Sequence, residues 1–330
     1  MEIDSRYMAR AIQLARNGLG YASPNPMVGA VIVHDGQIIG EGWHRRCGQA
    51  HAEVNAVASV RNPELLKHST IYVTLEPCSH YGKTPPCAQL LIDKQIPRVV
   101  IGSLDPFEKV SGRGVAMLRQ AGVEVVCGVM EQECRMLNKR FMYAHTHRMP
   151  YVTLKWACSS DGYMDSDRTE NTEPVKFSSP LGATLVHLMR SRHDAIMVGS
   201  GTVLADDCRL DVRLVDGQSP RRVVMDRRNR VPQNAAVMQG QGCLHINHEC
   251  TLEQLLHELY EQGITSLMVE GGATLLREFV RTHLWCEARI EQSPLKLAPH
   301  GAAHMPIPSG EIKSIEHIGS NILVTLIPNN

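Results

Sequence analysis

The sequence predicts an α/β protein built as two successive α/β domains. Strand-like and helix-like segments alternate along the whole chain, the pattern of mixed α/β architectures. Its 330 residues are enough for about two domains of ordinary size. The polar run His145-Thr-His-Arg-Met-Pro150 follows a helical stretch and ends in proline, which breaks helices and marks a boundary. The predicted domains are therefore 1–146 and 147–330.

In the first domain, Asp4 or Ser5 is placed to cap a helix whose apolar face carries Met8, Ile12 and Ala15. Met27 to Val33 reads as a strand, and Asp35-Gly36 as a hairpin turn into a second strand over Gln37 to Trp43. Residues 51–60 suit a helix, Thr70 to Leu75 a buried strand, and Cys87 to Lys94 another helix. Short strands follow at 98–102 and 123–127, with a helix near 112–121 between them. The second domain should hold strands near 151–157, 194–199, 221–226, 265–270, 287–292 and 321–327, with helices near 180–192, 251–262 and 273–283. The segment 296–316, rich in Pro, Gly and His, offers no clear pattern.

Hydrophobic residues make up 43% of the chain and aromatics only 5%, so the cores must be mainly aliphatic. Lys+Arg and Asp+Glu both number 34, and a formal charge of zero argues against a duplex nucleic acid or a membrane surface as partner. The N-terminus Met1-Glu-Ile-Asp-Ser-Arg6 lacks the apolar run of a signal peptide, and no stretch approaches a transmembrane span. The ten cysteines then fit a cytoplasmic, reducing setting, where metal ligation is a natural use for two of them. The sequence is compatible with a homo-oligomer and does not specify one.

His51-Ala52-Glu53 and Pro77-Cys78, with Cys87 further on, supply an imidazole, two thiols and a carboxylate. His51, Cys78 and Cys87 can hold Zn²⁺ and leave the fourth tetrahedral position open. Cys87, following Pro85-Pro86, should open a helix, where unpaired amides favour a thiolate; both cysteines are expected to ionise readily. Residues two apart on a helix point in nearly opposite directions, so Glu53 is expected to carry a proton rather than bind metal. A closed structural site remains the alternative, with His44, Cys47 or His80 as fourth donor.

His-Ala-Glu followed by Pro-Cys and a second Cys resembles the zinc-dependent nucleobase deaminases. The longer run Val73-Thr-Leu-Glu-Pro-Cys-Ser-His-Tyr-Gly-Lys-Thr-Pro-Pro-Cys87, with Pro24-Asn-Pro-Met-Val-Gly-Ala30, resembles the pyrimidine deaminases of riboflavin biosynthesis. This implies a cytidine-deaminase-like three-layer α/β/α domain, with Asn25, His44 and Lys83 contacting the pyrimidine and its phosphoribosyl arm. Asn25 has an amide that matches a base edge, and Lys83 a charge suited to phosphate.

The runs Tyr151 to Gly162 and Asp194 to Asp207, followed by Leu210 and Arg213, resemble the reductase domain which that family fuses behind its deaminase. The resemblance implies a dihydrofolate-reductase-like α/β fold using NADPH. Ala157, Lys176, Thr202, Asp206 and the turn from Gly272 would line the cofactor. Arg190, Leu210, Arg213 and Glu270 would line the substrate, and Lys155 would act near the reacting carbon. Independently of it, Ile196-Met-Val-Gly-Ser-Gly-Thr202 and Leu267-Met-Val-Glu-Gly-Gly272 end strands in small residues, where a pyrophosphate can approach backbone amides. Neither is a complete G-x-G-x-x-G, since Leu204 stands where the third glycine would be. The chain departs from the usual pattern at Cys208, Cys286 and Ala298.

The expected function is therefore bifunctional. A diaminopyrimidinone carrying ribose 5-phosphate is hydrolytically deaminated, and NADPH then reduces its ribosyl group to ribityl. Two rivals stand beside it: a nucleic-acid-editing zinc deaminase, and a deaminase whose second half only binds.

Overall fold

The structure is a computed structural model that describes residues 2–81, 85–106, 112–168, 173–239 and 242–329. The chain forms two compact units, Met1–Arg148 and Met149–Asn330. No helix among the described residues is long and apolar enough to cross a membrane.

The first unit runs α1 (Glu2–Ala15), β1 (Gly29–His34), β2 (Gln37–Trp43), α2 (Ala52–Ser59), β3 (Thr70–Leu75), α3 (Cys87–Asp93), β4 (Arg98–Ser103), α4 (Arg113–Gln120), β5 (Glu124–Cys127), α5 (Glu131–Leu137) and α6 (Lys139–His147). Its strands make one sheet in the order β2-β1-β3-β4-β5. The β1–β2 and β1–β3 pairs are antiparallel, and β3–β4 and β4–β5 are parallel. Asp35 and Gly36 both have positive φ, as the tight β1–β2 turn requires. Alternate residues of each central strand feed opposite cores. Ala30, Ile32, Ile71, Val73, Val99 and Ile101 pack with Ala56, Leu91 and Leu118 of α2, α3 and α4. Val31, Val33, Tyr72 and Val100 pack with Met8 and Ile12 of α1 and Cys134 of α5. The result is the three-layer α/β/α arrangement.

The predicted cap on α1 is not observed, because the helix already begins at Glu2. Asp4 instead turns toward the sheet. Its carboxylate accepts from Arg98 Nη1 and Nη2 at 3.1 and 2.8 Å and from the Tyr72 hydroxyl at 2.8 Å. The hydrogen bonds from Arg98 outweigh partial burial and hold the Asp4 carboxyl below its ordinary value.

The second unit runs β6 (Tyr151–Cys158), β7 (Tyr163–Ser166), α7 (Pro180–Arg190), β8 (Ala195–Gly199), α8 (Ser200–Asp206), β9 (Arg221–Met225), β10 (Cys243–Ile246), α9 (Leu252–Glu261), β11 (Ser266–Val269), α10 (Ala273–Arg281), β12 (Glu287–Gln292), β13 (Gly301–His304), β14 (Gly310–Ile318) and β15 (Asn321–Pro328). Eight strands form a sheet in the order β10-β9-β8-β11-β6-β12-β15-β14, with β13 and β7 paired separately. The strands from β10 through β12 are parallel, and β15 and β14 close the sheet antiparallel. One face packs on α9 and α10 through Leu255, Leu259, Leu276 and Phe279. The opposite face packs on α8 through Val203. This is the dihydrofolate-reductase-like order that the resemblance implies. The segment without a sequence pattern, 296–316, contributes β13 and most of the edge strand β14. β14 is exposed on both faces over much of its length, so it shows no in–out alternation to read.

The Asp4–Arg98 pair ties α1 to the sheet and yields a stability prediction. Because the folded carboxyl titrates below its unfolded value, the pair stabilises fully above the unfolded value and is lost as pH falls through the folded one. Asp4→Asn should cost about 1–2 kcal/mol near neutrality. Urea unfolding at pH 7 and pH 3 should show the gap between variant and parent closing in acid.

Candidate functional site

Three elements of the first unit converge on one point. His51 is the extended residue just before α2 and makes no side-chain cap bond. Cys78 follows β3, and Cys87 opens α3 after Pro86. His51 Nδ1 lies 3.6 Å from Cys78 Sγ and 3.3 Å from Cys87 Sγ, and the three donors all fall within 4.8 Å of one another. Donors around a tetrahedral zinc at ordinary bond lengths stand about 3.5–3.8 Å apart. The set therefore fits zinc. Among the described residues, no fourth His, Cys, Asp or Glu joins it. The Cys87 amide also donates to Cys78 Sγ at 3.2 Å.

The two thiols are hydrogen-bonded to one another and are not equivalent. Hydrogen bonds from Cys87 and His51 pull the Cys78 thiol down, whereas Cys87 donates to Cys78, lies buried beside the Glu53 carboxylate and is pushed up. Glu53, one residue into α2, is 3% exposed. Burial raises its carboxyl to about 7, with the Cys78 charge adding to the effect, and its side chain bonds Cys87. A proton-carrying carboxylate thus sits against the donor set without belonging to it.

The position of α2 depends on two glycines in β2. A Cβ on Gly42 would collide with the backbone of Ala52 and Ala56 and come within 2.8 Å of the Asn55 carbonyl carbon. A Cβ on Gly40 would lie 2.7 Å from the Ala56 carbonyl oxygen. Only bare backbone lets the helix that carries His51 and Glu53 approach the sheet this closely.

Asn25 and His44 are brought to the same mouth. His44 Nδ1 lies 3.1 Å from the Ala50 carbonyl, so it carries the proton there, and Nε2 accepts from Asn25 Nδ2 at 3.2 Å. Burial holds His44 below its ordinary value, which suits the neutral ring. His44 also packs edge-on against His51, with ring centroids 5.5 Å apart. Lys83 lies outside the described residues.

Two supporting residues escape a reading of the sequence. Glu76, 4% exposed, accepts backbone N–H groups from Asp105, Gly112, Gly114 and Val115, fixing the approach to Cys78. Its signal was present: a carboxylate at the end of an otherwise apolar strand. Asn138, between α5 and α6, bonds both the N–H and C=O of Met27 at 2.8 Å and so anchors the loop bearing Asn25. Nothing local in the sequence marks it.

In the second unit, a cavity of about 450 Å³ opens at the C-terminal edge of the parallel strands, lined by Lys155, Ala157, Thr202, Asp206, Glu270 and Gly272 among others. The two glycine turns meet there, with the Gly272 amide donating to Thr202 Oγ1 at 2.9 Å. A Cβ on Gly201 would meet only open space, whereas one on Gly271 would come within 2.8 Å of Leu275 Cδ2. Open backbone at Gly201, at this edge of such a sheet, fits the pyrophosphate of a dinucleotide. Lys176 is exposed and lies between Val175 and Phe177, which line the cavity. Arg168, missed in the sequence, also lines the cavity and pairs with Asp206 at 2.7 Å.

Glu270 and Arg190 form a two-pronged pair at 2.9 and 2.7 Å. Burial works against the Glu270 charge, but Arg190, aided by Lys155, holds the carboxyl below its ordinary value. Arg213 is exposed, its Nη1 donating to Asp211 at 2.6 Å. Leu210 has a positive φ and a side chain buried in the core, so only its backbone faces outward. Of the departures, Cys208 is half-buried with its thiol pushed up to about 11 by burial, and the Ala298 amide donates to Asp161 at 2.9 Å. The Cys286 amide donates to the Val152 carbonyl.

Comparison with known proteins places both halves. Residues 1–103 match the cytidine and deoxycytidylate deaminase zinc-binding region, and residues 150–323 match the RibD C-terminal domain. The chain is 37% identical to riboflavin biosynthesis protein RibD of Actinobacillus pleuropneumoniae, covering 98% of this chain and 95% of the relative. It is 36% identical to the protein of that name from Escherichia coli, covering 98% and 99%. RibD of Acinetobacter baumannii superposes with a TM-score of 0.92 at 34% identity, over 100% of this chain and 99% of that one. A Thermotoga maritima structure described as a diaminohydroxyphosphoribosylaminopyrimidine deaminase/5-amino-6-(5-phosphoribosylamino)uracil reductase superposes with a TM-score of 0.86 at 34% identity, over 99% of each chain.

The glycine contact under α2 can be tested directly. Gly42→Ala should displace α2 and weaken zinc binding by about tenfold, as losses in the support of metal ligands do. Chelator competition on the purified protein measures this, with circular dichroism to verify the fold.

Proposed function

The chain belongs to the RibD family of riboflavin biosynthesis, and on that premise we propose how its residues divide the two reactions. It is a bifunctional enzyme, a deaminase and a reductase, with zinc and NADPH as cofactors. The substrate proposed for the first half is a diaminopyrimidinone with a phosphoribosyl arm, and the second half reduces the deaminated product. The observation that carries this reading is the meeting of His51, Cys78 and Cys87 beside a buried Glu53.

Zinc held by His51, Cys78 and Cys87 supplies the Lewis acidity that activates water near neutral pH. Glu53 would carry protons from that water to the pyrimidine nitrogens, including the exocyclic one that leaves as ammonia. Asn25 and neutral His44 hold the pyrimidine edge, and Lys83 the phosphate. In the second unit, NADPH supplies the hydride. Thr202, Gly272, Ala157, Asp206 and Lys176 hold the cofactor. Arg190 and Arg213 hold the phosphoribosyl arm, while Glu270 fixes Arg190 and the Leu210 backbone frames the subsite. Lys155, close enough to Glu270 to favour its charge, would give a proton to the ring oxygen as that oxygen's bond to the anomeric carbon breaks.

This reading has a two-part test. Glu53→Gln should retain one zinc per chain by metal analysis yet lose about a hundredfold or more of ammonia release, the scale of general acid–base catalysis. Arg213→Ala should raise KM for the reduction step, followed by NADPH absorbance, by about tenfold and leave deamination unchanged. Equal loss of both activities in either variant would contradict the division.

A further inference from the structure

The segment 207–213 reaches the buried Arg190–Glu270 pair by an unusual backbone path. Asp207 and Leu210 both lie in the left-handed region, at φ of 41° and 56°. No helix or strand includes residues 207–213, so their path depends on contacts from elsewhere. Two come from α7. Arg190 Nη1 donates to the Asp211 carbonyl at 3.1 Å, and the Arg213 amide donates to His187 Nδ1 at 3.0 Å. His187 and Arg190 are three residues apart and so share one face of α7. A third contact, from the Val212 amide to Ser219 Oγ at 3.0 Å, closes the far side of the loop.

We propose that His187 is a positioning residue for reduction: its unprotonated Nδ1 anchors the Arg213 backbone and thereby aims the Arg213 guanidinium at the anionic arm of the substrate. The proposal deepens the assignment of Arg213 above and rests on it. The chemistry of the bond fixes the state of the ring. A backbone amide can only donate, so Nδ1 must accept and the proton must be on Nε2. His187 is 4% exposed, which leaves little water to replace a lost partner. Arg213, in contrast, has a side chain 53% exposed and directed by Asp211, as a guanidinium awaiting an anion should be.

Four charged groups act on this imidazole: Arg190 on its own helix, Arg213 and Asp211 on the loop, and Glu270 after β11. Burial comes first and lowers its proton affinity; the two arginines lower it further, and the two carboxylates oppose them. The balance favours the neutral ring. Once acid protonates it, Nδ1 becomes a donor facing a donor, and the anchor fails.

The test separates an acceptor from mere bulk. Asn Oδ1 occupies nearly the position of His Nδ1, so His187→Asn keeps an acceptor that cannot be protonated, while His187→Leu fills space without one. With the deaminated phosphoribosylaminopyrimidine as substrate, His187→Leu should raise reductase KM about five- to tenfold with kcat within about twofold. Deamination should be unaffected. His187→Asn should restore KM and remove the acid-side increase of KM expected of the parent once its imidazole protonates, below the ordinary histidine range. Hydrogen exchange should show the Arg213 amide protected in the parent and the Asn variant and exposed in the Leu variant. Equal KM in the Leu and Asn variants, or an Arg213 amide equally protected in all three, would overturn the proposal. If Arg213→Ala leaves KM unchanged, the phosphate assignment itself fails, and the exchange result alone then decides whether His187 anchors the loop.

Discussion

The first unit depends on how closely helix α2 can lie against strand β2. Because Gly40 and Gly42 present bare backbone, the start of α2 reaches the level at which β3 ends and α3 begins. His51 then meets two thiols from elements that are neighbours in the fold and not in the chain. The same approach buries Glu53, so a single packing contact provides both a metal ligand and a proton carrier of perturbed affinity. A bulkier β2 would leave every one of these side chains in the sequence and dissolve the site.

The second unit uses a different device. Its parallel strands end at a common edge, and the turns after β8 and β11 are both short and glycine-rich, so main chain from both turns reaches the lining of the cavity. Charged side chains are tied down in ion pairs: Arg168 with Asp165 and Asp206 beside the cavity, Arg190 with Glu270, and Arg209 and Arg213 with Asp211. Pairing keeps the guanidiniums oriented while leaving the site near neutral overall. That is consistent with a chain whose total charge is zero and whose selectivity for anions is local.

Much of this was legible from sequence because the chemistry is concentrated in contiguous runs. His51-Ala-Glu53 and the stretch from Val73 to Cys87 carry ligand identity, helix starts and strand ends within a few residues of one another. The supports were less legible. Asn138 clamps a loop 111 residues away, and His187 meets an amide 26 residues on, with no local pattern to announce either bond. Leu210 shows the converse: its place in a motif marked it as a substrate-lining position without saying by which atoms, and a left-handed backbone carries its side chain into the core. The strands β7, β10 and β13 are each only four residues long. At that length, alternation cannot be told from chance. The expected cap at Asp4 or Ser5 failed for another reason: the helix begins upstream of both, at Glu2, and Asp4 pairs with Arg98 instead.

Glu76 spends its carboxylate on the main chain of the segment leading into α4, which fixes Cys78 from the upstream side. Cys87 is fixed from the downstream side by the helix it begins. The Cys87 amide joins the two moorings through Cys78 Sγ, so the main chain sets the spacing of the two thiols before any ion arrives.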